Sequence, residues 1–147
     1  MSKRLLSRKL GSSLRTGGVD GRRRARILVD ASVAVWLFNL VVAVAFYGPL
    51  DHPHLGLFLI LSLLVGSSVL PALKITGSVT LAGNILLCQM WAVLHTLTLF
   101  SGRLESVPPA WIIFLPILAN HLCDRYSSMV WTALAVIEVC AVGVVSY

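Results

Sequence analysis

The sequence predicts an all-α, polytopic membrane helical bundle of about five transmembrane helices with a cytoplasmic N-terminus. Three observations carry that expectation. Charged residues make up only 12% of the 147, against 57% hydrophobic ones, which is about half the charge of an ordinary soluble domain. Apolar runs close to the ~20 residues that cross a bilayer recur at 31–50, 55–73, 79–100 and 129–147. Nine of the twelve Lys and Arg precede residue 27, where Asp20 is the single acid.

Residues 1–26 form a basic arm, and 27–147 form the bundle. Leu5, Leu6, Leu10 and Leu14 alternate with Lys3, Arg4, Arg8, Lys9 and Arg15. Such Arg- and Ser-rich, acid-poor composition also suits a mitochondrial presequence. We read it instead as a basic tail attracted to anionic lipid headgroups, at about 1 kcal/mol per basic residue near the surface. Gly11, Gly17, Gly18 and Gly21 argue against a long continuous helix there.

In the first span Asp30 follows Arg26 by four residues, at a height where its carboxylate can stay hydrated or pair with Arg26, and an interfacial ion pair is expected over catalysis. Asn39 lies deeper and should face another helix, since an amide in hydrocarbon needs a partner. The second span carries Ser62 and Gly66 four apart, then Ser67 and Ser68, giving one small side that permits close helix approach. Pro71 is expected to kink or end that helix before Lys74. The short stretch 74–78 then turns spans two and three into an antiparallel hairpin.

The third span holds the most ordered polar pattern. Asn84, Cys88, Trp91, His95 and Thr98 recur at intervals of four, three, four and three, on one helical face. That face should turn inward, either as a ligand or proton site or as interhelical hydrogen bonding. The fourth segment, 108–122, opens with Pro108, Pro109 and Trp111, as at an outer interface. At ~1.5 Å per residue it reaches only about 22 Å; we read it as spanning, with re-entry as the alternative. Asn120, His121, Asp124 and Arg125 form a polar, solvated end before the fifth span.

Glu138 occupies the middle of that last span. An ionisable group at such depth marks a functional site by default; the neutral acid is expected unless His95 or an arginine compensates it. Asn84, His95, Thr98 and Glu138 are therefore the candidate ligand- or proton-binding residues. Five crossings place eleven of the twelve basic residues inside, leaving Arg103 outside with Asp51 and Glu105, which obeys the positive-inside rule. Re-entry of 108–122 would move Arg125 outward.

The motifs exclude several classes. There is no phosphate-binding Gly-rich motif, no HExxH and no GxSxG. Cys88, Cys123 and Cys140 lack any CxxC or Cys/His spacing, so neither a disulfide framework nor a metal site is expected, and buried packing roles are. No cofactor, no nucleic-acid partner and no catalytic residue is expected.

From about Leu57 to Tyr147 the order of features resembles the multi-pass N-terminal sensor regions of bacterial histidine kinases and diguanylate cyclases. The residues that carry the resemblance are LPALKITGSVTLAGNILL at 70–87, LTLFSGRLESVPPAW at 97–111 and FLPILANHLCDRYSSMVWTAL at 114–134. In such regions a Gly-containing outer loop runs into a Pro- and Trp-initiated helix with an internal Leu-Pro. A polar turn and a helix with an early Trp follow. The resemblance implies a sensory input module of the bacterial inner membrane, acting as a homodimer or with a partner membrane protein. It also implies a further span and an output domain, kinase or cyclase, encoded after Tyr147 or supplied by a partner. A small proton-coupled transporter using Glu138 and His95, or a membrane scaffold subunit, are the alternatives.

Overall fold

The computed structural model describes residues 18–48, 50, 52–100 and 111–145. Among them every regular element is an α-helix: α1 (Gly18–Tyr47), α2 (Pro53–Ser67), α3 (Val69–Thr76), α4 (Val79–Phe100), α5 (Phe114–Leu122) and α6 (Arg125–Val145). Three helical stretches are long and apolar enough to cross a membrane, Asp20–Tyr47, Pro53–Thr76 and Val79–Phe100, with mean hydropathies of 2.3, 2.2 and 1.3. They mark the chain as a membrane protein. In hydrocarbon the helix is favoured because it satisfies its backbone polar groups internally. The outward surface fits that solvent: Val41, Leu64, Ile75 and Ile137 are all exposed, where a water-soluble bundle would carry charge.

α1 begins at Gly18 and runs unbroken through Gly21. The expected boundary between arm and bundle at residue 26 therefore falls inside one continuous helix. An apolar continuation at Ile27 to Val29 packs on the core and outweighs the ~1 kcal/mol cost of an interior glycine. Residues 1–17, with the leucine-basic alternation, lie outside the described residues, as do Asp51, Arg103, Glu105, Pro108 and Pro109.

The two internal prolines act alike, and the break tied to Pro71 falls before Lys74, as expected. Pro71 does not end its helix, which continues through Lys74 to Thr76. The interruption falls at Ser68 instead, and before Pro116 it falls at Ile113. A proline cannot donate to the carbonyl four residues back and its ring crowds that carbonyl, so the break appears three residues upstream in both cases. At the first break Ser67 and Ser68 also donate through Oγ to the carbonyls of Leu64 (2.7 Å) and Val65 (2.6 Å), contacts that bend helices.

The α3–α4 hairpin is built on Gly77, which adopts φ 67° and donates its N–H to the Leu73 carbonyl. Ser78 then caps α4, accepting from the Leu81 N–H at 3.2 Å. Left-handed backbone is costly for residues with a Cβ. Gly77→Ala should therefore lower stability by about 1 kcal/mol, read as a fall in the thermal midpoint of the detergent-purified protein, with Gly77→Asn falling less.

Helix directions follow from pairs of contacts. α2 turns back on α1, with Gly56 so close to Tyr47 and Ala43 that a Cβ would lie 3.0 Å from the Tyr47 side chain. α4 runs parallel to α1: Arg24 Nη1 donates to the Cys123 carbonyl at the level of Thr80. At the other end, Phe38 and Asn39 share a recess with Val93 and Leu94. From Trp111, beside Leu94 and Leu97, the chain returns along α4 to Leu122 and Cys123, which abut Gly83. α6 then runs parallel to α4. Three contacts between α4 and the segment 123–138 (Thr80 with Cys123, Asn84 with Ser127, His95 with Glu138) share one sequence offset of 43. Arg24, Lys74 and Arg125 thus gather at one end of the bundle.

The main core lies between α1, α3, α4, α5 and α6, around Leu28, Val69, Leu86, Leu87, Leu115 and Trp131; a smaller cluster joins Ala43, Leu59, Val93 and Leu97. The segment expected to span at 108–122 contributes a nine-residue α5, about 14 Å of helix, with Leu115, Ala119 and Leu122 fully buried.

Candidate functional site

α6 packs its backbone mainly on α5 and meets α4 through side chains rather than by close backbone approach. Its inward stripe is narrow: Ser127, Trp131, Ala135 and Glu138 recur at four, four and three residues, and on either side Val130, Leu134 and Ile137 are exposed. Against it lies the α4 face of Asn84, Trp91 and His95. Two polar bridges join the stripes.

The first bridge is centred on Asn84. Its Nδ2 donates to Ser127 Oγ at 3.2 Å, and its Oδ1 accepts from Trp131 Nε1 at 2.9 Å and from the Cys123 thiol at 3.5 Å. The thiol also approaches the Thr80 carbonyl at 3.8 Å. Burial pushes the Cys123 thiol up to about 11, aided by the charge of Asp124 and opposed by Arg24, so it stays protonated and able to donate at neutral pH. An amide with its donor and acceptor thus engaged is a structural clamp, and leaves Asn84 little capacity for a ligand.

The second bridge pairs His95 Nδ1 with Glu138 Oε1. The carboxylate is enclosed, with a side chain 9% exposed, while the imidazole is 40% exposed. His95 also stacks on Trp91, with ring centroids 5.4 Å apart and an interplanar angle of 22°. An acid and a base in contact, one buried and one reachable, join α4 to α6 through a single polar bridge. Glu138 is positioned by Trp131 and Ala135, whose burial fixes which side of α6 faces inward.

The structure brings together two of the four residues singled out in the sequence. Thr98 is buried but donates to its own helix at the Leu94 carbonyl, 2.8 Å away. Cys88, on the same α4 face, is exposed, as is Cys140, so only Cys123 has the buried role expected of all three. The face tilts because α2 and α5 claim the neighbouring stripe of Ala82, Leu86, Val93 and Leu97. Asp30 is exposed and makes no ion pair with Arg26; among the described residues the one ion-pair geometry is His95 with Glu138. Asn120 and His121 point outward. Asp124 caps α6, its Oδ1 accepting from the Ser127 N–H at 3.1 Å. The Ser127 hydroxyl, and after it that backbone bond, hold its carboxyl below the usual range; the cap is complete at neutral pH and is lost on acidification through that lowered value.

Gln89 escaped the sequence reading. It is buried, and its Nε2 donates to the Ser62 carbonyl of α2 at 2.9 Å. Gly66 makes room for it, since a Cβ there would lie 2.5 Å from Gln89 Oε1. The signal was the small pair Ser62 and Gly66, which needed a long polar partner on the facing helix. Gly66→Val should break the Gln89 bond and cost about 1 kcal/mol, measured by thermal unfolding. Gly66→Val in a Gln89→Leu background should lose less.

Among the described residues no three His, Cys, Asp or Glu side chains cluster as a metal site would require. No protein-family model, no curated protein and no solved structure matches the chain, and none links it to the sensor regions it resembles.

Proposed function

We propose that the chain is a membrane-embedded signal-input module of a bacterial inner membrane. In it the His95–Glu138 contact sets how α6 sits against α4, and that placement biases an output element on this chain or on a partner. The observation that supports it most is that a titratable pair bridges a helix otherwise held mainly by its neighbour α5. Two helix arrangements that differ by one contact form the kind of bistable element that switches exploit. A polar bridge of this sort contributes about 1 kcal/mol in a membrane, small enough for a stimulus to overcome.

The topology of this proposal has five crossings. α6, 21 residues long, extends about 31 Å. Because α4 and α6 run parallel, the segment between them returns across the depth of α4. The common end of Arg24, Lys74 and Arg125 is then cytoplasmic, as the positive-inside rule requires, and the basic arm meets anionic headgroups.

A second reading is a proton-coupled carrier, favoured by the same pair, since buried ionisable groups mark proton paths. Spin labels at Leu99 on α4 and Ile137 on α6, both exposed, separate the two. In lipid nanodiscs the input reading expects the inter-label distance to change between mildly alkaline and mildly acidic buffer in the native chain and to be fixed in Glu138→Gln. Proteoliposomes of the native chain should collapse no proton gradient. A constant distance together with Glu138-dependent proton flux would support the carrier instead.

A further inference from the structure

Asn39 lies nine residues after Asp30 and eight before Tyr47, the last residue of α1, and so at the centre of the apolar part of that helix. Its side chain is 1% exposed, and its Nδ2 has no hydrogen-bond partner among the described residues. A buried donor left unmade costs about 1–3 kcal/mol, so a partner is to be expected. Asn39 is one of the residues lining a recess of about 530 Å³ between α1 and α4, walled by Val35, Phe38, Met90 and Leu94, with Trp111 on one side. That volume is in the range of small-molecule sites, ~300–1,000 Å³.

The chemistry of the walls narrows the occupant. Apart from Asn39 and the Trp111 indole, every lining side chain is hydrocarbon, aromatic or thioether. Water is a poor fit, because a bound water wants two to four polar partners. A second copy of the chain is also a poor fit. An amide that joined two copies would stand on the lipid face, whereas Asn39 is recessed and its neighbour Phe38, 52% exposed, stands out. What remains is a molecule that enters from the lipid, is apolar over most of its surface and carries one acceptor oxygen. Flat rings suit walls made by Phe38 and Trp111, the latter also 52% exposed and thus at the rim.

We propose that this recess binds a lipid-soluble ring carbonyl compound of the quinone type, its carbonyl oxygen accepting from Asn39 Nδ2. The site rests on Asn39 and stands apart from the His95–Glu138 pair, so either proposal can fail without the other. The test uses the full chain in detergent micelles, titrated with menadione, with the saturable quenching of tryptophan fluorescence as the readout. The expected result is saturable quenching by the native chain that is lost in Trp111→Phe, and binding weakened about tenfold in Asn39→Leu, the value of one buried hydrogen bond. 2-Methylnaphthalene, of the same shape but without the oxygen, should bind the native chain and Asn39→Leu alike. Ala34→Phe fills the recess from an exposed position that leaves the core untouched, and should abolish saturable quenching even if Asn39→Leu does not fold. The proposal is overturned by non-saturable quenching in the native chain, by unchanged affinity in Asn39→Leu or Ala34→Phe, or by Asn39-dependent binding of methyl oleate in place of menadione. Asn39-dependent disulfide cross-linking of two copies through Phe38→Cys would also overturn it.

Discussion

Glu138→Lys should abolish accumulation of folded protein in the membrane, while Glu138→Gln should accumulate at close to the native level. A lysine at mid-membrane costs about 3 kcal/mol on insertion scales, a cost that applies under the proposed five-crossing topology, and here it would face His95. Glutamine keeps an acceptor oxygen of similar reach, so the imidazole N–H retains a partner and only the charge is lost. Exchanging the two partners, His95→Glu with Glu138→His, restores an acid–base contact between the same helices and should recover at least part of the yield that either single change loses. Yield from size-exclusion chromatography and the thermal midpoint measure both effects. Equal behaviour of the Lys and Gln variants would mean that Glu138 does not face the bundle.

Asn84→Leu should cost about 2 kcal/mol, the sum expected of a few membrane hydrogen bonds averaging ~0.6 kcal/mol each and of the desolvated donor left behind. Three groups lose their partner at once: the indole N–H of Trp131, the hydroxyl of Ser127 and the thiol of Cys123. Ser127 can turn its hydroxyl elsewhere; the Trp131 indole, buried with its helix stripe, cannot. Adding Trp131→Phe to Asn84→Leu should therefore cost less than Trp131→Phe does alone, a non-additivity that a double-mutant cycle in reversible detergent unfolding reads directly. Strict additivity would show that Asn84 and Trp131 are not coupled.

The helices were legible because hydrocarbon imposes a simple rule: long apolar runs become helices, and they did at 53–76 and 79–100. The inward stripe of α4 was half legible. A period of four, three, four identified Asn84, Trp91 and His95, yet the same period carried Cys88 outward, because periodicity ranks a face without saying which neighbour covers it. Glu138 was legible from depth alone. His95 was already a candidate to compensate it; that the two residues meet, at the constant offset of 43, depends on the direction of the short segment between the two helices. Pro71 gave the break before Lys74 but not its position: the lost bond belongs to a carbonyl four residues upstream, so Pro71 and Pro116 mark breaks at Ser68 and Ile113. Gln89 and Asp124 were missed for different reasons. Gln89 is one polar residue in an apolar run, while Asp124 ahead of Ser127 is a capping signal read instead as a solvated end.

α4 and α6 run parallel, with Asn84 opposite Ser127 and His95 opposite Glu138. Paired cysteines test that register in a chain with Cys88, Cys123 and Cys140 replaced by serine or alanine. In native membranes a short bifunctional thiol reagent should link 84 to 127 and 95 to 138, and should link neither 84 to 138 nor 95 to 127. Preferential linking of the swapped pairs would make α6 antiparallel to α4, turn 108–122 into a re-entrant segment, and contradict the parallel bridge.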